Sequence, residues 1–272
     1  MSDYKNFKQC AVIIATHNGA KYLKQQLTSI KQQISVQPII YYSDDASCDN
    51  SIEILEKFKC INLNAEKKTY GSSAANFINA IRKYTPNDYE DYIFLSDQDD
   101  VWLPNKMQEA IAALQETQCD AYSGSFYSWD LSKRKIWYTN KYFEQNEVDY
   151  LFRSPGPGFT FCLTRVAYMK IQHDLEKHVD KYHNVRWHDW LIYAVARKLG
   201  VKWFIDDKPF TLYRLHGDND TGQITSFRTV ANRLKFLLNG DYRKQVKILV
   251  DCLHDTRIRL AVNRFNILDR FL

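Results

Sequence analysis

An alternation in the first hundred residues most constrains the fold. Short apolar runs at 10–15, 38–43, 61–63 and 92–96 are separated by segments at 21–33, 50–58 and 72–84 whose apolar residues recur at helical spacing. That rhythm belongs to βαβ units, in which helices cover a largely parallel sheet. The pattern then changes. A helix is expected over about 104–118, a hairpin of 121–129 and 135–138 across Leu131-Ser132-Lys133-Arg134, and a strand over 159–164 entered from the Pro/Gly cluster at 153–158. Helices at 166–177 and 189–199 and strands at 201–205 and 210–215 would complete one α/β unit over 1–222.

Each early strand ends in polar residues: Thr16-His17-Asn18-Gly19, Ser43-Asp44-Asp45 and Ser96-Asp97-Gln98-Asp99-Asp100. Ligands of open α/β sheets lie outside the carboxyl ends of the strands, so these ends converge on one crevice. Carboxylates in such a place suit a hard divalent cation, Mg²⁺ or Mn²⁺, that keeps positions open for phosphates. They equally suit an acidic turn that caps the next helix. Asp44-Asp45 has two readings as well, acceptor for the N3–H of a pyrimidine or plain turn chemistry.

Taken together, Ile13 through Gly19, Ser43 through Asp49, Gly71 through Asn76 and Ser96 through Trp102 resemble the family 2 glycosyltransferases of the GT-A fold. The form Asp-Gln-Asp-Asp-Val-Trp is most similar to the rhamnosyltransferase-like members that build bacterial surface polysaccharides such as O-antigen, capsule or lipopolysaccharide. The resemblance spans roughly 10–222. It implies a Rossmann-like, mixed but mostly parallel sheet flanked by helices, with a nucleotide-sugar-binding half at 1–103 and an acceptor-binding half at 104–222. It also implies an inverting transfer from a UDP- or dTDP-linked sugar to a saccharide acceptor, one carried on a polyprenyl diphosphate or other lipid.

Residue roles follow from the same resemblance. Thr16, His17, Asn18, Asp44, Asp45, Asn76, Asp97, Gln98, Asp99 and Arg214 would contact the donor. Asp97, Asp99 and His216 would hold Mn²⁺ or Mg²⁺, with Asp100 sharing that work. Asp189, in Trp187-His188-Asp189-Trp190, matches the catalytic base, and Gly158, Trp187, His188 and Trp190 would meet the acceptor. His17 stands where Tyr is common, and Ala46 where Gly is common.

Elementary chemistry asks for the same parts. A departing nucleoside diphosphate gathers negative charge that a cation stabilises, and the attacking hydroxyl must lose its proton to a carboxylate on the other side of the sugar. In the second half of the unit Asp189 is the strongly placed candidate, with a helix N-cap as its alternative. His173, His178, His183 and His188 recur every five residues, which turns each by about 140° on a helix, so they form no zinc face. Dinucleotide, Walker and serine-hydrolase motifs are absent. The competing readings are a nucleotidyltransferase that makes a nucleotide sugar, and a non-catalytic binding module at a membrane.

Charge is unevenly placed. Residues 223–272 carry 10 Lys+Arg against 4 Asp+Glu, leaving 27 against 28 for 1–222. A near-neutral body argues against a nucleic-acid groove, and the tail of +6 has apolar stripes at Phe227, Val230, Ala231, Leu234, Leu237 and Leu238, and at Val246, Leu249, Val250 and Leu253. Such a basic amphipathic helical tail either packs on the domain or docks on anionic membrane. Six cysteines without CxxC spacing read as free thiols, and no signal peptide or spanning run is expected. The expected setting is the cytoplasm, peripheral to the inner face of the bacterial plasma membrane, with homo-oligomers left open.

Overall fold

The computed structural model describes residues 8–182, 185–216 and 240–253. Its first half is the expected βαβ array. Strands β1 (Lys8–Thr16), β2 (Val36–Asp44), β3 (Ile61–Asn62) and β4 (Glu90–Ser96) lie parallel in the order β3-β2-β1-β4. They are connected through helices α1 (Ala20–Lys31), α2 (Ser51–Lys57) and α3 (Ser73–Lys83). The apolar run of β1 is continuous because both of its faces are covered: Ala11, Ile13 and Ala15 enter one core layer, Cys10, Val12 and Ile14 the other. Helix α1 turns Leu23, Leu27 and Ile30 inward at three- and four-residue spacing. Ser72 starts α3 by accepting the amide of Ala75 at 3.2 Å.

The second half extends the same sheet. Antiparallel β8 (Cys162–Thr164) joins β4 to β6 (Ala121–Asp130). Next come β9 (Trp203–Leu215), parallel to β6, and β5 (Val101–Trp102), antiparallel to β9. Edge strand β7 (Lys135–Thr139) pairs with β6 as the expected hairpin. Helices α4 (Lys106–Thr117), α5 (Arg165–Lys177), α6 (Val179–Tyr182) and α7 (His188–Lys198) pack around it. The two parts of the chain therefore share one continuous sheet.

Three expectations change. The strands at 201–205 and 210–215 are one strand, because Pro209 falls where the β6 pairing shifts register, the kind of irregularity in which a strand accommodates proline. The strand expected from 159 begins at Cys162, after a 3-10 turn at Gly158–Thr160. Two-residue β5 and four-residue α6 are too short to leave a periodic signature. The second tail stripe is helix α8 (Asp241–Leu253), whose Val246, Leu249, Val250 and Leu253 are buried in the core layer that holds Leu191 and Tyr193 of α7. The first stripe and the boundary at 222 lie outside the described residues. Among those described, no helix is long and apolar enough to cross a membrane.

Candidate active site

The carboxyl ends of β1, β2 and β4 meet as the strand order requires, and hydrogen bonds knit them together. Thr16 Oγ1 donates to Asp44 Oδ1 at 2.8 Å, and Asp44 also takes the Ser47 amide at 2.8 Å and hydroxyl at 2.6 Å. The Asp45 carboxylate receives the amides of Tyr70 and Gly71, one on each oxygen. Both acidic side chains thus shape the loops of the crevice, though a carboxylate has about four lone-pair sites and one N–H per oxygen leaves room for another. Asn76, on the first turn of α3, donates to the carbonyls of Thr16 at 3.3 Å and Ser43 at 3.0 Å, clamping two strand ends.

His17 is exposed, and its Nδ1 lies 2.6 Å from the Asp45 carbonyl, which fixes the ring at the mouth. Gln98 closes the floor by a reciprocal pair, accepting the His17 amide at 2.8 Å and donating to the His17 carbonyl at 2.9 Å. A Cβ at position 19 would run into the Gln98 side chain, so Gly19 lets the two loops touch. Asn18, with φ of 48°, donates its amide to Ser47 and accepts that of Cys48, both at 2.8 Å.

Beside this cluster, His216 Nε2 lies 2.7 Å from Asp99 Oδ2. Its ring packs on Tyr22 with centroids 4.8 Å apart. Arg214 donates to the Asp99 carbonyl at 2.8 Å and to Gln25 Oε1 at 2.7 Å, with its guanidinium between Tyr22 and Trp129 at 4.6 and 4.7 Å. Asp97 is half-buried at the end of β4. Asp100 is fully buried with one oxygen unpartnered, and burial beside Asp99 and Asp97 raises its carboxyl well above the ordinary range. Lys106, equally buried, donates to the Phe159 carbonyl at 2.6 Å and Thr211 at 3.0 Å, and burial lowers its ammonium to about 7. Among the described residues no three metal-ligating side chains are gathered around one point.

Asp189 stands in the first turn of α7. Its Oδ1 accepts the Trp190 amide at 2.8 Å and its Oδ2 the Ser154 hydroxyl at 3.3 Å, yet burial outweighs both and pushes the carboxyl up to about 6. The neighbouring His188 ring stacks on Phe77 at 4.0 Å, so consecutive residues of α3 touch the ends of β1 and β2 and the helix that carries Asp189. His188 Nε2 is sealed from solvent without a partner, and burial pulls the ring down to about 3, leaving it neutral. Gly158 is the reason that ring fits, since a Cβ there would collide with Nε2.

The acceptor group expected from the sequence divides. Trp187 is half-buried under Arg186 at 5.1 Å, while Gly158 and His188 pack against each other. Trp190 does not join them: it is 5% exposed, donates its indole N–H to the Tyr150 carbonyl at 2.9 Å and stacks on Tyr242 of α8. It is a core residue, which corrects its assignment to the acceptor. His183 lies outside the described residues. Sequence reasoning missed Tyr22, Gln25, Phe77, Trp129 and Ser154; only Phe77, beside Asn76 in a quoted motif, carried a signal.

Comparison with known proteins agrees with this geometry. The model of the family described as Glycosyl transferase family 2 matches residues 11–173. The chain is 33% identical over 247 residues to the dTDP-rhamnosyl transferase RfbG of Shigella flexneri, covering 89% of this chain and 85% of that protein. Staphylococcus aureus TarS 1–349, solved with UDP-GlcNAc, superposes with a TM-score of 0.55 at 16% identity over 96% of this chain and 77% of its own. The mannosyltransferase PcManGT from Pyrobaculum calidifontis, solved with GDP-Man and Mn²⁺, gives 0.53 at 11% identity over 90% and 85%. At such identities these structures establish the fold.

Proposed function

The chain belongs to glycosyl transferase family 2, and on that premise we propose an inverting transfer of a deoxyhexose of the rhamnose class from its dTDP-linked donor to a saccharide hydroxyl. Use of a nucleotide-sugar donor in polysaccharide synthesis follows from membership and from the similarity to RfbG. The dTDP and rhamnose assignments are supported by that one relative, and the readings as a nucleotidyltransferase or passive binding module fall away.

One observation carries the mechanism. Asp189 is held at the start of α7, and Asn76 and Phe77 link it, through one turn of α3, to the strand ends that form the donor crevice. A half-buried carboxyl near 6 is ionised at neutral pH and basic enough to take the acceptor proton as the hydroxyl attacks. Ser154 and the Trp190 amide fix which way its oxygens point. On the donor side His17 would pack on the base, with Asp45 within reach of it. Arg214, buried and pinned between two rings, would lie beside the diphosphate.

The donor set suits Mn²⁺ or Mg²⁺: the Asp99 carboxylate lies against an imidazole, with Asp97 two residues away on the same strand end. With fewer than three such side chains gathered among the described residues, the ion would complete its shell from diphosphate oxygens and water, as these hard cations do. When bound it would stabilise the charge on the departing diphosphate. A lipid-linked acceptor at the inner membrane face is part of the same proposal, supported by the charge of +6 over residues 223–272.

The test pairs two readouts on Asp189→Asn. Thermal shift with Mn²⁺ against a panel of nucleotide sugars identifies the donor, because a bound ligand stabilises the fold by RT ln(1 + [L]/Kd). The variant should keep that shift and lose transfer; near-normal turnover would falsify the assignment of the base. A panel in which dTDP-rhamnose gives no shift and another sugar does would replace the donor.

A further inference from the structure

We infer that the tip of the β6–β7 hairpin docks on an anionic lipid bilayer and sets the donor crevice against it. The turn is built to be rigid. Asp130 Oδ1 accepts the Ser132 amide at 3.0 Å, the Ser132 hydroxyl at 2.7 Å and the Lys133 amide at 3.1 Å, and Arg134 completes the reversal at φ of 52°. Lys133 also pairs with Asp130 at 3.1 Å, so its charge is balanced within the turn. Among the described residues Arg134 and Lys135 make no ion pair, and every residue from 131 to 136 is exposed.

Aliphatic side chains flank these cations. Leu131 is 36% exposed and Ile136 56%, and Tyr138 follows at 46%. Among the described residues strand β7 pairs with β6 alone, so its outer edge carries no further strand. Aliphatic tips that enter the headgroup boundary, a tyrosine at its level and cations among its phosphates are what an anionic interface recognises. A soluble polyanion would use Arg134 and Lys135 but gain nothing from Leu131 and Ile136. An apolar protein groove would take the aliphatic pair and oppose the cations.

Register decides where the surface points. Trp129 lies opposite Arg214 and Asp130 opposite Leu215 in the parallel β6–β9 ladder, one residue short of His216. The Arg214 guanidinium rests on Trp129 at 4.7 Å. The tip therefore shares its end of the sheet with Asp99 and His216, and a bilayer touching Leu131 would lie along the rim of the crevice. The proposed lipid-linked acceptor gives this arrangement its use, but lipid docking is measured without it.

Sedimentation of the full chain with phosphatidylcholine vesicles, with and without phosphatidylglycerol, provides the test. Wild type should partition to the anionic vesicles and lose affinity as salt rises. Arg134→Ser with Lys135→Ser should weaken partition by more than tenfold, at about fivefold per cation. Leu131→Ser with Ile136→Ser should weaken it at high salt, where the apolar contact dominates. Both variants alter exposed residues outside the catalytic machinery, and unchanged melting temperature and donor hydrolysis confirm their fold. Partition of both variants within about twofold of wild type, well inside the loss expected for two cations, overturns the inference. So does wild type that binds heparin but no vesicle. Absent donor hydrolysis in wild type would instead count against the proposed enzyme and leave the vesicle result readable.

Discussion

At the level of single residues, Asp189 ties pH to both activity and stability. Its carboxyl sits near 6 when folded and near 3.8 when not, so the native state prefers the protonated form and ionisation is unfavourable to folding at neutral pH. That penalty is absent below pH 4, grows up to pH 6 and is constant above. Asp189→Asn should therefore be more stable than wild type at pH 8, by on the order of 2 kcal/mol after allowance for partial exposure, with the difference vanishing near pH 4. Transfer by wild type should fall tenfold per pH unit below about 6, and the variant should lose roughly a thousandfold in kcat. Urea melts across pH and a pH–rate profile read both. The aspartate was legible from its place before an apolar helical run; its pKa was not, because burial is set by how distant segments pack around α7. Gly158→Ala should drive a Cβ into His188 and shift Asp189 with it, destabilising by about 1–3 kcal/mol and lowering kcat more than donor affinity.

Among elements, α3 has the widest reach. Its N-terminal Asn76 is 2% exposed and satisfies the carbonyls of Thr16 and Ser43, which belong to two neighbouring strands. Asn76→Ala leaves both without that donor and should lower stability by about 1–3 kcal/mol, seen as a lower urea midpoint with unchanged slope. Donor affinity should fall as well, because the strand ends splay, whereas Asn79→Ala one turn later removes only bonds within the helix, to the Ala75 carbonyl and from Arg82, and serves as the control. The parallel strands and their helices could be read from the sequence because periodicity is local. The antiparallel β6–β7 hairpin was local and legible too, but the pairing of two-residue β5 and three-residue β8 with β9, β4 and β6 was not, because it depends on partners far along the chain. The same limit hid the use of Asp45, whose carboxylate is engaged by amides 25 and 26 residues away.

For the whole molecule, the question is what the C-terminal helix is for. Sequence periodicity gave α8 an apolar stripe and left open whether lipid or protein covers it. The stripe is covered by protein: Val246 and Leu249 are 1% exposed and Leu253 not at all, Trp190 stacks on Tyr242, and the Tyr242 hydroxyl donates to the Phe152 carbonyl. Since α8 rests on α7, which carries Asp189, it braces the proposed base from behind. Leu249→Ala opens a cavity in that contact and should cost about 2–4 kcal/mol. For a chain of this length that loss lowers the melting temperature by several degrees. Lipid contact predicts the reverse pattern, because a stripe facing a bilayer could be truncated without harming the fold while vesicle partition fell. Reduced melting temperature with unchanged partition therefore assigns α8 to the protein, and leaves anionic membrane to the hairpin tip and to the basic residues beyond this helix.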